Sequence, residues 1–292
     1  MSDMINLNRF NELSQQSRRA MQRLESFFSQ QKALMIAYSG GMDSSFLALA
    51  ASKYLPQAYR AVLVNSPFMP ENEVRLARNT AEVHQLVFEE IELDPLQSPV
   101  IVCNDLQRCY HCKNLVFQGL KNIARDGETI CEGSVSDDDS DFRPGKAAIR
   151  ELQIASPLQT CGFSKAMLAE VLTAMGAPEV IRAGQSCLAT RIATGDPLTL
   201  AKLKQIDRGE ELLRRAGLSF CRLRHHGHLA RIETGFGEQH LAVDIATMLA
   251  DDFKKLGFRH VCVDIAGYTR GSMNIFSEAQ AEPRESEPAT AE

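Results

Sequence analysis

The sequence predicts an α/β protein: a doubly wound parallel sheet with a second, smaller α+β domain. Three observations predict it. As far as about residue 180, short apolar runs alternate with helix-length segments, the pattern of strands buried on both faces and joined by crossover helices. A pair of glycines stands where the first run meets the first helix, in "YSGGMDSS" (38–45). Beyond residue 180 helices and strands still occur but no longer in steady alternation, which separates a mixed domain from the first.

Each element has its own local signal. Within 8–31, Phe10, Leu13, Ser17, Met21, Leu24 and Phe28 recur at spacings of three and four, the stripe of an amphipathic helix. "KALMIAY" (32–38) is a continuous apolar run suited to a strand covered on both faces. "SSFLALAASKYL" (44–55) reads as a helix, "YRAVLVNS" (59–66) as a strand, "ENEVRLARNTAEVH" (71–84) as a helix and "QLVFEEIEL" (85–93) as a third strand. "CKNLVFQGLKNIARDG" (112–127) reads as a helix closed by Gly127 just past its end. "ETICEGSV" (128–135) gives a fourth strand, and "PGKAAIREL" (144–152) a helix with Pro144 in its first turn. In the second part, "PLTLAKLKQIDRGEELLRRAG" (197–217) is a helix with Thr199 as its cap. "FCRLRHHGHLARIE" (220–233) alternates as a strand or hairpin, "TMLADDFKKLGF" (247–258) is a helix, and "HVCVDIAG" (260–267) a strand. The expected organisation is residues 1–185, residues 186–276, and an acidic tail, 277–292. That tail has five glutamates, two prolines and no aromatic residue, a composition expected to stay disordered.

Composition narrows the function. The chain of 292 residues is 44% hydrophobic and 24% charged, with a net charge of −5, which argues against a nucleic-acid partner held mainly through phosphates. No apolar stretch approaches a membrane span. No secretory pattern is visible at the N-terminus, so a cytoplasmic protein is expected, and its eight cysteines are expected to be reduced thiols.

A glycine turn between a buried strand and a helix presents unpaired N–H groups and the positive end of a helix dipole to one point. Ser39, Ser44 and Ser45 add hydroxyl donors. The pattern fits phosphate or pyrophosphate, and neither the Walker pattern nor the dinucleotide fingerprint is present. Among the cysteines, Cys109 and Cys112 form a C-x-x-C pair in "RCYHCK". Such a pair serves zinc, an iron–sulfur cluster or a redox dithiol equally well. Cys187 lies in "GQSCLATRIATG" with Arg182 and Arg191 nearby, cations that would favour a thiolate. Cys103, Cys131, Cys161, Cys221 and Cys262 are expected to fill the interior. Arg191, Arg222 and Arg224 are candidates to clamp a substrate phosphate, Arg222 and Arg224 sharing a strand face. Asp137, Asp138, Asp139 and Asp141 read first as a solvated loop, or else as help in holding Mg²⁺ or positioning Arg143. His225, His226 and His228 lack a completing ligand for a metal site.

"SGGMDS" (39–44) matches the SGGxDS loop of the PP-loop ATP pyrophosphatases. "CLATRIATG" (187–195), "GSVSDDDSDFRPG" (133–145), "RLRHHGHLARIE" (222–233) and "LGFRHVCVDIAGYTRGSMN" (256–274) resemble, in order, four blocks of the LarE family. The chain departs from that pattern at Val135, Ser186 and "SKAMLA" (164–169). The resemblance implies the adenine nucleotide alpha hydrolase-like fold, with Ser39, Gly40, Gly41, Asp43 and Ser44 binding ATP with Mg²⁺. It implies adenylylation of a carboxylate of a pyridinium-3,5-biscarboxylate mononucleotide, release of pyrophosphate, and transfer of sulfur toward a nickel-pincer cofactor. Cys187 would be the catalytic thiol. In family members carrying all three cysteines, as here, Cys109, Cys112 and Cys187 would hold a [4Fe-4S] cluster that provides the sulfur; otherwise Cys187 gives up its own. A homo-oligomer is also implied. Two other readings stand beside this one: a PP-loop tRNA thiolase, and a non-catalytic nucleotide-binding protein whose C-x-x-C pair holds structural zinc.

Overall fold

The computed structural model describes residues 12–137, 145–182, 184–269 and 271–273. Phe10, Asp138, Asp139, Asp141, Arg143, Pro144 and the 277–292 tail lie outside the described residues. Helix α1 (Gln15–Ser29) is capped by Ser14, whose hydroxyl accepts from the Ser17 N–H at 3.2 Å. It buries Ser17, Met21, Leu24 and Phe28, the stripe read from spacing. Strands β1 (Ala33–Tyr38) and β2 (Tyr59–Asn65) flank α2 (Met42–Tyr54); α3 (Glu71–Val83) leads to β3 (Phe88–Glu92), and α4 (Arg108–Asn122) to β4 (Glu128–Cys131). The four strands are parallel in the order β3-β2-β1-β4.

The order reverses at β1, so the crevice beyond its C-terminal end is the topological switch point where such sheets take ligands. Alternate residues of β1 feed different cores. Leu34, Ile36 and Tyr38 pack with α1 and α2, while Met35 packs with Phe117 and Leu120 of α4. Both faces are covered, hence the unbroken apolar run. This part also holds α5 (Gly145–Glu151) and α6 (Lys165–Ala174), α6 capped by Ser164, and the single helical turns Pro99–Val102 and Pro157–Thr160. Gly127 does not close α4. The helix stops at Ile123, and Gly127, at φ +82°, forms the turn into β4.

The second part is built on α7 (Leu200–Arg215), capped by Thr199 as the sequence predicts. Strands β5 (Cys221–His226) and β6 (Leu229–Thr234) form an antiparallel hairpin whose turn is Gly227–His228, with Gly227 at φ +63°. Then come α8 (Gln239–Met248), α9 (Ala250–Lys255) and β7 (His260–Val263), which lies parallel to β6. The single helix read over 247–258 is thus two, parted at Leu249, and the first begins eight residues earlier. A core of its own fills this part, yet Phe68 and Ile101 of the first part are embedded in it. No helix among the described residues is long and apolar enough to cross a membrane.

Candidate functional site

At the switch point the glycine turn is held from several sides. Gly40 has φ +72°, and a Cβ there would stand 2.3 Å from the Ala77 Cβ on α3. Only glycine meets both conditions. Gly41 is the N-cap of α2. The Ser44 hydroxyl accepts from the Ser39 N–H at 3.1 Å and lies 3.1 Å from the Ser39 hydroxyl, so the two serines close the turn on itself. From β4, Gly133 approaches so closely that a Cβ would stand 2.9 Å from the Ser44 nitrogen. Lys165, the first residue of α6, forms an ion pair with Asp43, and its own N–H donates to Asp137 at 2.8 Å. Arg182 donates to the Gly40 carbonyl at 2.7 Å and pairs with Glu73 at 2.7 Å. Sequence reasoning missed Lys165, Glu73 and Gly133. Lys165 had a signal, a lone cation opening a capped helix; the other two owe their places to packing alone.

Of the three cysteines singled out by sequence, Cys187 lines the same cavity as the turn, and Cys112 interacts electrostatically with it and with Cys109. The helix α4 begins at Arg108, four residues before the start read from sequence, so Cys109 joins Cys112 in it, three apart and hence on one helix face. Cys187 precedes a short 3-10 turn, Leu188–Arg191. Burial, followed by Cys187 and Cys109 beside it, pushes the Cys112 thiol up to about 12. Arg108 interacts electrostatically with all three sulfurs and donates to the Ala189 carbonyl at 3.2 Å and to the Cys109 sulfur at 3.5 Å. Asn104 orients Arg108: it accepts from that guanidinium and donates to the carbonyls of Ala193, at 2.7 Å, and Asp196, at 3.0 Å. A backbone bond from Leu188 N–H to the Phe68 carbonyl, 2.8 Å, fixes the Cys187 turn to the loop after β2. Among the described residues no group of three or more His, Cys, Asp or Glu side chains is arranged to hold a metal ion. All eight cysteines are free. Cys131, Cys161 and Cys221 are buried as expected, but Cys103 and Cys262 are exposed.

Of the three arginines read as phosphate clamps, Arg191 and Arg224 are engaged inside the protein, while Arg222 points toward Gln185 of the cavity. Arg191 is fully buried and faces protein, not a ligand. It pairs with Glu210 at 2.9 Å and donates to the carbonyls of Ser186, at 2.6 Å, and Cys187, at 3.0 Å. Every nitrogen of its guanidinium has a partner in Glu210 or in the Cys187 turn, so it ties that turn to α7. Arg224 is likewise buried, paired with Glu233 at 2.6 Å, and donates to the Thr190 carbonyl at 2.9 Å. Arg222 does share its strand face, both guanidiniums lying over the Tyr268 ring, at 5.9 Å and 5.8 Å. Arg222 also stacks on Phe220 at 4.4 Å and points toward Gln185, 3.5 Å away. Burial pushes its guanidinium below the ordinary arginine value, and nearby Arg191 adds to this. Both cations flanking Cys187 in sequence are thus matched by carboxylates, Glu73 and Glu210. His225 is buried against Gln205, 3.0 Å away, whereas His226 is exposed and His228 lies in the hairpin turn.

One cavity of about 500 Å³ reaches from the turn to Cys187. Ser39, Gly41 and Asp43 of the turn, Lys165, Gln185 and Cys187 all line it. A second cavity, about 660 Å³, lies past Leu188 at the ends of β2 and β3, lined in part by Asp207; Met69 borders both. A nucleotide whose phosphates rest on the turn would therefore share its space with a thiol.

No protein-family model matches the chain. It is 31% identical over 258 residues to the uncharacterized protein slr1717 of Synechocystis, covering 87% of this chain and 96% of that one. Over 242 residues it is 27% identical to the pyridinium-3,5-bisthiocarboxylic acid mononucleotide synthase of Lactiplantibacillus plantarum, covering 82% of this chain and 88% of that enzyme. The uncharacterized protein MJ0830 of Methanocaldococcus jannaschii is 28% identical over 241 residues, 81% of this chain and 91% of its own.

Proposed function

The chain belongs to the LarE family, and from that premise we propose that it is an ATP-dependent sulfur transferase of nickel-pincer cofactor synthesis. Its substrate is a pyridinium-3,5-biscarboxylate mononucleotide and its product the thiocarboxylate. The observation that carries this reading is the shared cavity: the phosphate-type turn, Lys165 and Cys187 open on one space. The division of labour falls at about residue 186, with nucleotide chemistry before it and substrate recognition after it.

A substrate carboxylate oxygen attacks the α-phosphorus of ATP, and the bond to the β-phosphate oxygen breaks. Pyrophosphate leaves onto the N–H groups of Gly40 and Gly41, the hydroxyls of Ser39 and Ser44, and the α2 N-terminus. Asp43 would hold the accompanying Mg²⁺, since it lines the cavity from the turn itself, whereas Glu73, the other carboxylate there, is paired with Arg182. Lys165, which pairs with Asp43 at the turn, would offer its charge to the phosphates. The acyl-adenylate carbon then lies open to sulfur, with AMP as leaving group.

Cys112 interacts electrostatically with both Cys109 and Cys187, which supports reading the three as ligands of a [4Fe-4S] cluster, a group that spreads its thiolates over separate irons instead of drawing them onto one ion. Cys109, Cys112 and Cys187 would hold it by three sites, and when bound it supplies a sulfide for transfer from the remaining iron. In the alternative, the Cys187 thiolate attacks the acyl carbon itself and the protein loses that sulfur. Anaerobic protein given ATP and the pyridinium substrate tests both. AMP and pyrophosphate in equal amounts support the reading. Iron with an intact Cys187 supports the cluster, and a Cys187 lighter by H₂S supports direct donation. Failure to cleave ATP between its α and β phosphates with substrate present refutes the proposal.

A further inference from the structure

The open edge of the second sheet has features that the sulfur chemistry does not use. Among the described residues β7 is an edge strand, paired only with β6. His260 donates its N–H to the His228 carbonyl and Asp264 to that of Ile232. In a parallel ladder the groups aimed at a neighbour come from every second residue, so the N–H and C=O of Val261 and Val263 point away from β6. Beside that edge runs a groove of about 380 Å³ whose walls include Val243 and Thr247 of α8 and Lys254 of α9. Val243 is half exposed. Cys262, which the sequence reading placed in the interior, is exposed on the sheet face away from the helices, together with His260.

We propose that β7 pairs antiparallel with β7 of a second copy of this chain, extending the three-stranded sheet across a two-fold axis. The register follows from parity. Only outward residues can face outward residues, and the alignment that uses all four free groups sets Val261 against Val263 of the other copy, in both directions. That alignment puts Cys262 opposite Cys262 on the axis and His260 opposite Asp264 of the second copy twice over, as a self-complementary two-fold patch does. Asp264 also pairs with Arg231 at 3.1 Å and accepts from the Ala266 N–H at 3.0 Å, so His260 would join that network. On the helix side the valines of each copy enter the groove of the other. Other alignments leave free groups unpaired or lose the His260–Asp264 match. A bare edge is otherwise a hazard that proteins cover or break, and this one carries no proline.

Because Val261 and Val263 exchange the hydrogen bonds, the Cys262 pair is of the non-hydrogen-bonded kind. Its Cα atoms stand about 4.5 Å apart, inside the range of about 4.4–6.8 Å that a disulfide spans. Mild copper-phenanthroline oxidation of the full chain is expected to give a covalent dimer, with Cys262 joined to Cys262 by peptide mapping. Cys262→Ser is expected to abolish that dimer while sedimentation still shows the non-covalent one. Val263→Pro removes an N–H that serves no partner in its own chain, and it is expected to leave the folded protein unable to form this dimer. His260→Asp, which faces like charges across the axis, is expected to do the same if the proline variant does not fold. A chain monomeric at every concentration overturns the proposal. So does a Cys262 shielded from maleimide until residues 274–292 are removed, which would make the chain's own tail the occupant. Neither result bears on ATP cleavage.

Discussion

Replacing Arg191 by methionine separates two roles for that residue. The guanidinium and the Glu210 carboxylate are both fully buried. Glu210 also accepts the Leu223 N–H at 3.1 Å, and its next cation, Arg214, lies 3.6 Å away. Methionine fills much of the volume but leaves a buried carboxylate facing an apolar group and frees the Ser186 and Cys187 carbonyls. Removing one partner of a buried pair costs about 3–5 kcal/mol. At about 2–4 °C per kcal/mol for a unit of this size, the midpoint should fall by roughly 6–20 °C. Calorimetry without any ligand measures this, and iodoacetamide labelling with mass mapping should show faster modification of Cys187 as its turn loosens. The double variant Arg191→Met/Glu210→Leu should regain most of the loss, since no charge is then stranded. If Arg191→Met alone shifts the midpoint by less than about 2 °C, under 1 kcal/mol, and weakens only the binding of a phosphate-bearing ligand, then Arg191 is a ligand clamp and the internal role assigned to it is wrong.

Gly40→Ala places a methyl 2.3 Å from the Ala77 Cβ and strains a left-handed backbone; displacing the turn by about 1 Å should lower ATP-dependent pyrophosphate release by about 10²-fold, measured by a coupled phosphate assay. Lys165→Met removes the cation that pairs with Asp43; the loss of a charge-assisted bond to phosphate, about 1.5–3 kcal/mol, should weaken ATP binding by roughly 10- to 150-fold by calorimetric titration, with the fold intact. Asp207→Asn should raise the unfolding midpoint at neutral pH. Burial pushes the Asp207 carboxyl above its ordinary value, so the folded state binds the proton more tightly than the unfolded one. The stability this gives is full below the ordinary carboxylate range and is lost as pH rises through the folded value. The asparagine variant should lack that slope in pH-dependent denaturant titrations.

Elements whose signals are local stood open in the sequence. The β1 run, the α1 stripe from Ser17 to Phe28 and the Thr199 cap each depend on residues a few positions apart and formed where spacing and capping chemistry put them, although α1 begins only at Gln15, past Leu13. Where the competing terms are tertiary, local reading went astray. Gly127 has the left-handed backbone expected of a helix-closing glycine, yet α4 had already ended at Asn122. The 247–258 helix broke at Leu249, where Phe253 and Ile245 turn into the same core.

The sequence by itself determined that an apolar strand ends in a glycine turn opening a helix, and that Cys109 and Cys112 form a C-x-x-C pair, because both follow from residue type and short spacing. Only the tertiary structure decided that Cys187, 75 positions beyond Cys112, stands beside it and opens on the cavity of the turn. It alone decided, too, that Arg191 is drawn inside by Glu210 instead of facing a ligand. A buried cation takes whichever anion the fold places within reach, and nothing in the order of residues states that distance.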